Sequence, residues 1–286
     1  MNSLPTIPPK APGAFRILHF SDLHTGLVDW NWRYLLDKRF FGRLNQFVTR
    51  QRHLALENIA LLGENYQALQ ADMALCTGDL TSIGSQAEFQ HAMDLLKPIR
   101  DNAKENFLYV PGNHDAYVPQ NRPALEEAFR QLNHERFHLD DLPQTAVIGP
   151  VEFILINPAR PCAIWLSNGT LSTDVWEKLD YILSLPARAR VRMVVTHFPL
   201  LDHTGRPLSW RTKFVQTPRL WEHGKEGRFQ AVLSGHVHRP FLWAPQQKDF
   251  WHVGAGSLTI HNAFSLVDID GNTGTITPTI IPIQPR

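Results

Sequence analysis

Short apolar runs punctuate the chain, each stopped by a polar cluster. They are FRILHF (15–20), MALCT (73–77), FLYV (107–110), EFILIN (152–157), RMVVT (192–196) and QAVLS (230–234). Their length and their β-branched and aromatic content predict buried strands. Between several of them apolar positions recur at helical spacing, over 53–70, 86–96 and 174–185, which predicts amphipathic helices. From 249 to 282 the pattern turns to strand throughout: FWHV, AFSLVDID and TITPTIIPI, with GNTG as a hairpin turn. Alternating β and α followed by β hairpins predicts an α/β protein with sheets inside and helices outside. The opening stretch MNSLPTIPPKAPGA is rich in proline and reads as a loose tail over 1–14. Residues 15–286 then form a single domain, because no linker separates rival cores.

Composition narrows the classes of function. The chain has 286 residues, 43% of them hydrophobic and 19% charged, enough to bury a large core. A formal charge of +1 speaks against a general nucleic-acid binder, and so against a nuclease with a long basic groove. There is no apolar stretch fit for a signal peptide or for a bilayer span of about 18 residues. Cys76 and Cys162 both sit in apolar sequence, which fits two inert thiols in a reducing, cytoplasmic setting.

The chemistry lies immediately after the strands. FRILHF is followed by Asp22 and His24, MALCT by Gly78 and Asp79, FLYV by Asn113, His114 and Asp115, RMVVT by His197, and QAVLS by His236 and His238. In open α/β sheets, ligands bind outside the carboxyl ends of strands, so these tips are expected to converge on one crevice. Asp22 and His24 are two apart, as are His236 and His238; in extended chain each pair would project to one side. Carboxylate, imidazole and amide donors without thiolate suit Mn²⁺, Fe or Zn²⁺ better than Cu(I) or an iron–sulfur cluster. The donors outnumber what one ion needs, which points to two ions sharing a bridge. Taken singly, Asp22 reads as a helix cap, His197 as a core histidine and GNHD as a turn. Their repeated placement behind apolar runs favours the metal reading.

The segments FSDLH, TGDL, PGNHDAY, THFP and SGHVH resemble the five signatures of the calcineurin-like metallophosphoesterases, a likeness extending from residue 15 to about 282. The resemblance implies a four-layer αββα sandwich of two mixed β-sheets flanked by helices, with a dinuclear centre at the strand tips. It assigns Asp22, His24, Asp79 and His238 to one ion and Asp79, Asn113, His197 and His236 to the other, with Asp79 as the bridge. It makes His114 the proton donor to the leaving oxygen and gives Asp115 the task of fixing the loop. The expected cofactors are two divalent or trivalent ions, Mn²⁺ or Fe, with Zn²⁺ as the alternative. A hydroxide held between them would attack phosphorus in line. Some relatives carry an acid three positions after the bridging aspartate to orient the donor histidine. Here that position is Ser82, which shifts the expected support to another carboxylate such as Glu88 or Asp115.

Substrate choice is expected to lie in two segments. An insertion at about 29–53 is basic and aromatic, with six Lys/Arg and one acid from Arg33 to His53 and with Trp30, Trp32, Tyr34, Phe40, Phe41 and Phe47 interleaved. It reads as a helix pair with a solvated basic face, or as a cap that meets an anionic, partly apolar substrate or the inner membrane surface. Arg206 and Arg211, close behind His197, are candidates for holding a substrate phosphate. The expected function is a metal-dependent phosphohydrolase cleaving a phosphodiester or pyrophosphate bond in a nucleotide-like small molecule, such as a cyclic nucleotide. The phrase DKRFFGRLN also resembles a bacterial subgroup that includes UDP-2,3-diacylglucosamine pyrophosphatases of lipid A synthesis, the alternative substrate reading. The alternative of another class is a binding scaffold on the same fold that has lost catalysis.

Overall fold

Side chains along the fully buried central strands point alternately into two cores. Phe153, Leu155, Met193 and Val195 belong to one apolar cluster, whereas Ile154, Ile156 and Val194 belong to a second. That period of two is what a sheet covered on both faces requires. In a computed structural model the described residues are 2–26, 54–163 and 165–284. The basic-aromatic segment expected at about 29–53 lies outside them.

The strands are β1 (Ala14–Phe20), β2 (Met73–Cys76), β3 (Phe107–Tyr109), β4 (Gln144–Ile148), β5 (Val151–Leu155), β6 (Val191–Val195), β7 (Ala231–Ser234), β8 (Phe241–Trp243), β9 (Trp251–Gly254), β10 (Ala263–Asp270) and β11 (Ile276–Pro282). One sheet has the order β11-β10-β1-β2-β3, the other β4-β5-β6-β7-β9-β8. Both are mixed. β1, β2 and β3 run parallel and β10 and β11 antiparallel. β5, β6, β7 and β9 run parallel, with β4 and β8 as antiparallel edges. The larger apolar cluster joins residues of both sheets, such as Ile17 and Leu75 with Phe153 and Leu233. The helices are α1 (Glu57–Glu64), α2 (Tyr66–Leu69), α3 (Gln86–Ala103), α4 (Arg122–Leu132), α5 (Thr173–Ser184), α6 (Thr217–Lys225) and α7 (Pro245–Lys248). Trp176 and Leu179 of α5 and Leu220 of α6 pack on the outer face of the second sheet. The result is the expected αββα sandwich of two mixed sheets.

Several boundaries differ from the sequence expectation. The periodic stretch 53–70 is not one helix: it breaks at Asn65, whose side-chain amide donates to the Leu61 carbonyl, 2.8 Å away. α3 runs past residue 96 to Ala103 with Pro98 inside it, and starts at a capping box in which Ser85 and Glu88 satisfy each other's backbone N–H. Residues 2–14, part of the stretch expected as a loose tail, make specific contacts. Ser3 pairs with Gln284 through backbone hydrogen bonds, Leu4 and Ile7 pack on the core, and the Pro8 carbonyl accepts from Arg16. Arg16 is itself buried and forks onto Asp268 at 2.6 and 2.7 Å, a bidentate pairing that supplies the charge it needs in the interior.

One buried group makes the fold sensitive to acid. His19 of β1 is fully buried, with Nε2 3.0 Å from Thr77 Oγ1, and burial pushes its pKa down to about 3. The unfolded chain therefore takes up this proton first. The stability that neutral His19 contributes is present above its ordinary value of 6.5 and is lost as pH falls toward about 3. Between pH 6.5 and 5 this single group is expected to remove roughly 2 kcal/mol. Denaturant unfolding of His19→Asn beside the unaltered chain should show a pH dependence shallower by about that amount; parallel curves would exclude His19 as the cause.

Candidate metal centre

The carboxyl ends of β1, β2, β3, β6 and β7 feed the loops that carry the candidate donors. Asp22, His24, Asp79, His236 and His238 all have positive φ, between 47° and 72°. Side chains other than glycine rarely adopt this conformation, and a cluster of them persists only where the surrounding fold holds it. Here Asp22 N–H donates to the Gly78 carbonyl at 2.9 Å and His24 N–H to the Asp79 carbonyl at 3.0 Å, locking the first loop to the second. Ser257 Oγ donates to the Asp22 carbonyl at 2.7 Å. The Asp22–His24 and His236–His238 pairs therefore do not sit in extended chain as their spacing implied. They lie in sharp turns.

The seven donors come together in two groups around Asp79. In the first, ligand atoms of Asp22, His24, Asp79 and His238 all lie within 4.8 Å of one another. His24 Nε2 is 3.0 Å from His238 Nε2 and 3.8 Å from both Asp22 Oδ1 and Asp79 Oδ2. In the second, His197 Nε2 is 3.3 Å from Asp79 Oδ2 and 3.2 Å from Asn113 Oδ1, and His236 Nδ1 is 2.8 Å from the same amide oxygen. Backbone carbonyls orient these imidazoles: Thr77 accepts from His197 Nδ1 at 2.7 Å, and Thr212 from His236 Nε2 at 2.9 Å. His236 and His238 thus divide between the groups.

The electrostatics fit a cation. Burial pushes the Asp22 carboxyl up to about 7, and its Oδ1 is buried with no hydrogen-bond partner. Burial also opposes ionisation of Asp79, but the His197, His114 and His24 rings hold it well below the usual carboxylate range. Burial would lower His197; the Asp79 carboxylate overrides it and raises the ring to about 9. His236 is pushed down to about 3, by burial first and then by the charge of His197. Buried carboxylates with one oxygen left unsatisfied, balanced by a proton held on His197, are surroundings in which a bound cation would take over the work of that proton.

His114 stands beside this cluster. Its N–H donates to Asp79 Oδ1 at 2.8 Å and its Nδ1 donates to the Ser82 carbonyl at 2.6 Å. The Tyr117 ring stacks on it at 5.6 Å. With Nδ1 engaged by Ser82, the ring's chemistry at the pocket falls to Nε2. The support expected from Glu88 or Asp115 takes another form. Glu88 accepts from the backbone N–H groups of Ser82, Ile83 and Ser85 and so shapes the turn that offers the Ser82 carbonyl. Asp115 accepts from Thr81 N–H, Gly112 N–H and the Tyr109 hydroxyl, which fixes its loop.

The centre opens into a cavity of about 390 Å³ lined by Asp79, Asn113, His114, Asp202, His203 and His238, among others. Asp202 and His203 carry no motif and were not among the expected site residues. Their only sequence signal is position, a few residues after His197. Arg206 and Arg211 do not line this cavity. Arg206 N–H closes a turn on Asp202 Oδ1 at 3.0 Å, and the Arg211 guanidinium lies over the exposed Trp210 ring, 5.3 Å from its centroid.

Gly112 shows how closely the loops approach. A Cβ placed on it would lie 2.1 Å from Asp79 Oδ1 and 2.5 Å from Asp79 N, so any side chain must displace the carboxylate shared by both groups. Gly112→Ala is expected to weaken Mn²⁺ binding by about 10- to 100-fold. Calorimetric titration checks this; unchanged affinity would mean that Asp79 can shift without loss.

A family model described as calcineurin-like phosphoesterase matches residues 15–240. A protein of Vesicomyosocius okutanii named "probable cyclic nucleotide phosphodiesterase" is 24% identical over 228 residues, covering 79% of each chain. Mouse transmembrane protein 62 is 25% identical over 215 residues, covering 68% of this chain and 30% of the mouse protein. Among solved structures, a dimetal phosphatase from Danio rerio superposes with a TM-score of 0.61 at 12% identity, covering 92% of this chain and 98% of that one. Among the described residues no helix is long and apolar enough to cross a membrane.

Proposed function

The chain belongs to the calcineurin-like phosphoesterase family, and we propose that it hydrolyses a phosphodiester or pyrophosphate bond in a nucleotide-like small molecule, such as a cyclic nucleotide. The observation that carries this reading is the meeting of two donor groups at Asp79 with His114 hydrogen-bonded to the same carboxylate. The naming of the Vesicomyosocius relative supports the choice of substrate class.

Asp22, His24, Asp79 and His238 would hold one ion, and Asp79, Asn113, His197 and His236 the other. The oxygen and nitrogen donors suit Mn²⁺ or Fe, with Zn²⁺ as the alternative. When bound, such a pair supplies positive charge for the phosphoryl oxygens and lowers the pKa of water at the site. The protein's own groups do the rest. Asp79, the carboxylate common to both groups, also anchors the backbone of the proton donor. The Ser82 carbonyl engages the Nδ1 proton, so that in the doubly protonated ring the Nε2 proton is the one that would pass to the departing oxygen. General-acid help of this kind is typically worth about 10²–10⁴-fold.

The test is to strip the protein of metal, reload it with Mn²⁺ and assay bis-p-nitrophenyl phosphate beside p-nitrophenyl phosphate. Metal-dependent cleavage faster on the diester is expected. Faster monoester cleavage would make the protein a phosphatase, and two bound ions without turnover would make it a binding scaffold.

A further inference from the structure

A second cavity, of about 410 Å³, adjoins the catalytic one. Leu200, Leu201, Pro207, Leu208, Pro218 and Trp221 form its apolar wall. Pro207 and Leu208 line both cavities, so the two share an edge. The turn that leads into Pro207, from Asp202 to Arg206, is firmly held. Asp202 Oδ1 accepts from Thr204 N–H at 2.8 Å and Arg206 N–H at 3.0 Å, and Asp202 N–H donates to the Arg206 carbonyl at 2.8 Å. Trp243 Nε1 donates to the Asp202 carbonyl at 3.3 Å. Lys213 and Lys248 also line the second cavity. Its size and predominantly apolar wall with a few charged groups are those of small-molecule sites.

From the shared edge, we infer that this cavity holds an apolar organic arm of the phosphoester substrate while the phosphate lies in the neighbouring catalytic cavity. The inference rests on the phosphoesterase reading above. The two lysines fit it, because they favour an anionic diester and disfavour a cationic arm. It narrows the substrate class from nucleotide-like phosphoesters in general to those carrying an alkyl or acyl group, which a plain cyclic nucleotide lacks.

Two arms of one experiment test it on the intact, Mn²⁺-loaded protein. In the first, kcat/KM is compared for methyl and octyl p-nitrophenyl phosphate. The octyl diester is expected to be better by at least about tenfold, since burying each methylene is worth several-fold. Pro218→Glu and Trp221→Ala should each abolish most of that preference while leaving the methyl diester unchanged. Pro218 is exposed at the first turn of α6, where an acid complements the helix dipole, so the fold should survive. In the second arm, calorimetry compares octyl phosphate with methyl phosphate as ligands. Equal affinities and equal rates, or a preference untouched by both variants, would overturn the inference. Tighter octyl phosphate binding that Pro218→Glu removes, with no diester cleaved, would uphold the cavity and sink the phosphodiesterase reading instead.

Discussion

Asp79→Asn is expected to lower Mn²⁺-dependent diester hydrolysis by at least about 10³-fold. The amide keeps the shape of the side chain and removes its charge. Three interactions make the charge hard to replace. Oδ2 lies 3.3 Å from His197 Nε2 and 3.8 Å from His24 Nε2, between the two donor groups, while Oδ1 accepts from His114 N–H. The surrounding imidazoles already hold this carboxyl ionised against burial, so the site is built around a fixed negative charge at this point. Metal content by mass spectrometry should fall along with kcat/KM. A variant that keeps both ions and loses less than tenfold in rate would show that Asp79 is not the shared ligand.

His114→Ala should produce the second large effect, and its size should depend on the leaving group. A proton donor matters when the departing oxygen is a poor leaving group, such as a sugar alkoxide, and matters little for p-nitrophenolate, which departs without protonation. We therefore expect a loss of about 10²–10⁴-fold on a cyclic nucleotide and a much smaller one on bis-p-nitrophenyl phosphate. Equal losses on both would assign His114 to positioning through Asp79 and remove it as the acid. The Ser82 carbonyl at 2.6 Å from Nδ1 already specifies which ring nitrogen carries the working proton.

The convergence of the candidate donors was legible because each follows an apolar run that reads as a strand. Residue type and context then agreed at every motif. The local conformation was not legible. A spacing of two suggests extended chain, whereas Asp22, His24, His236 and His238 lie in the left-handed region, a choice made by tertiary hydrogen bonds. Backbone partners were invisible for the same reason: Thr212 and Ser82 act through carbonyl groups that every residue has. The placing of Arg206 and Arg211 outside the cavity lining was not legible either, because a loop's side-chain directions depend on its turns. At the level of elements, α4 was not picked out although Leu125, Ala128, Phe129 and Leu132 follow helical spacing. β4 is partly polar and β8 has three residues, so neither stood out from the loops around it.

The two sheets share the centre unequally. Asp22, His24, Asp79 and Asn113 follow strands of the first sheet, and His197, His236 and His238 follow strands of the second. Neither half of the chain alone carries either full set. An ion held by these residues would be a clasp across the sandwich, and its grip would require the two sheets to be docked in register. Metal affinity is then a gauge of folding completeness: a nascent or partly opened chain should hold cations poorly, and catalytic capacity should arrive late, when the two halves close on each other.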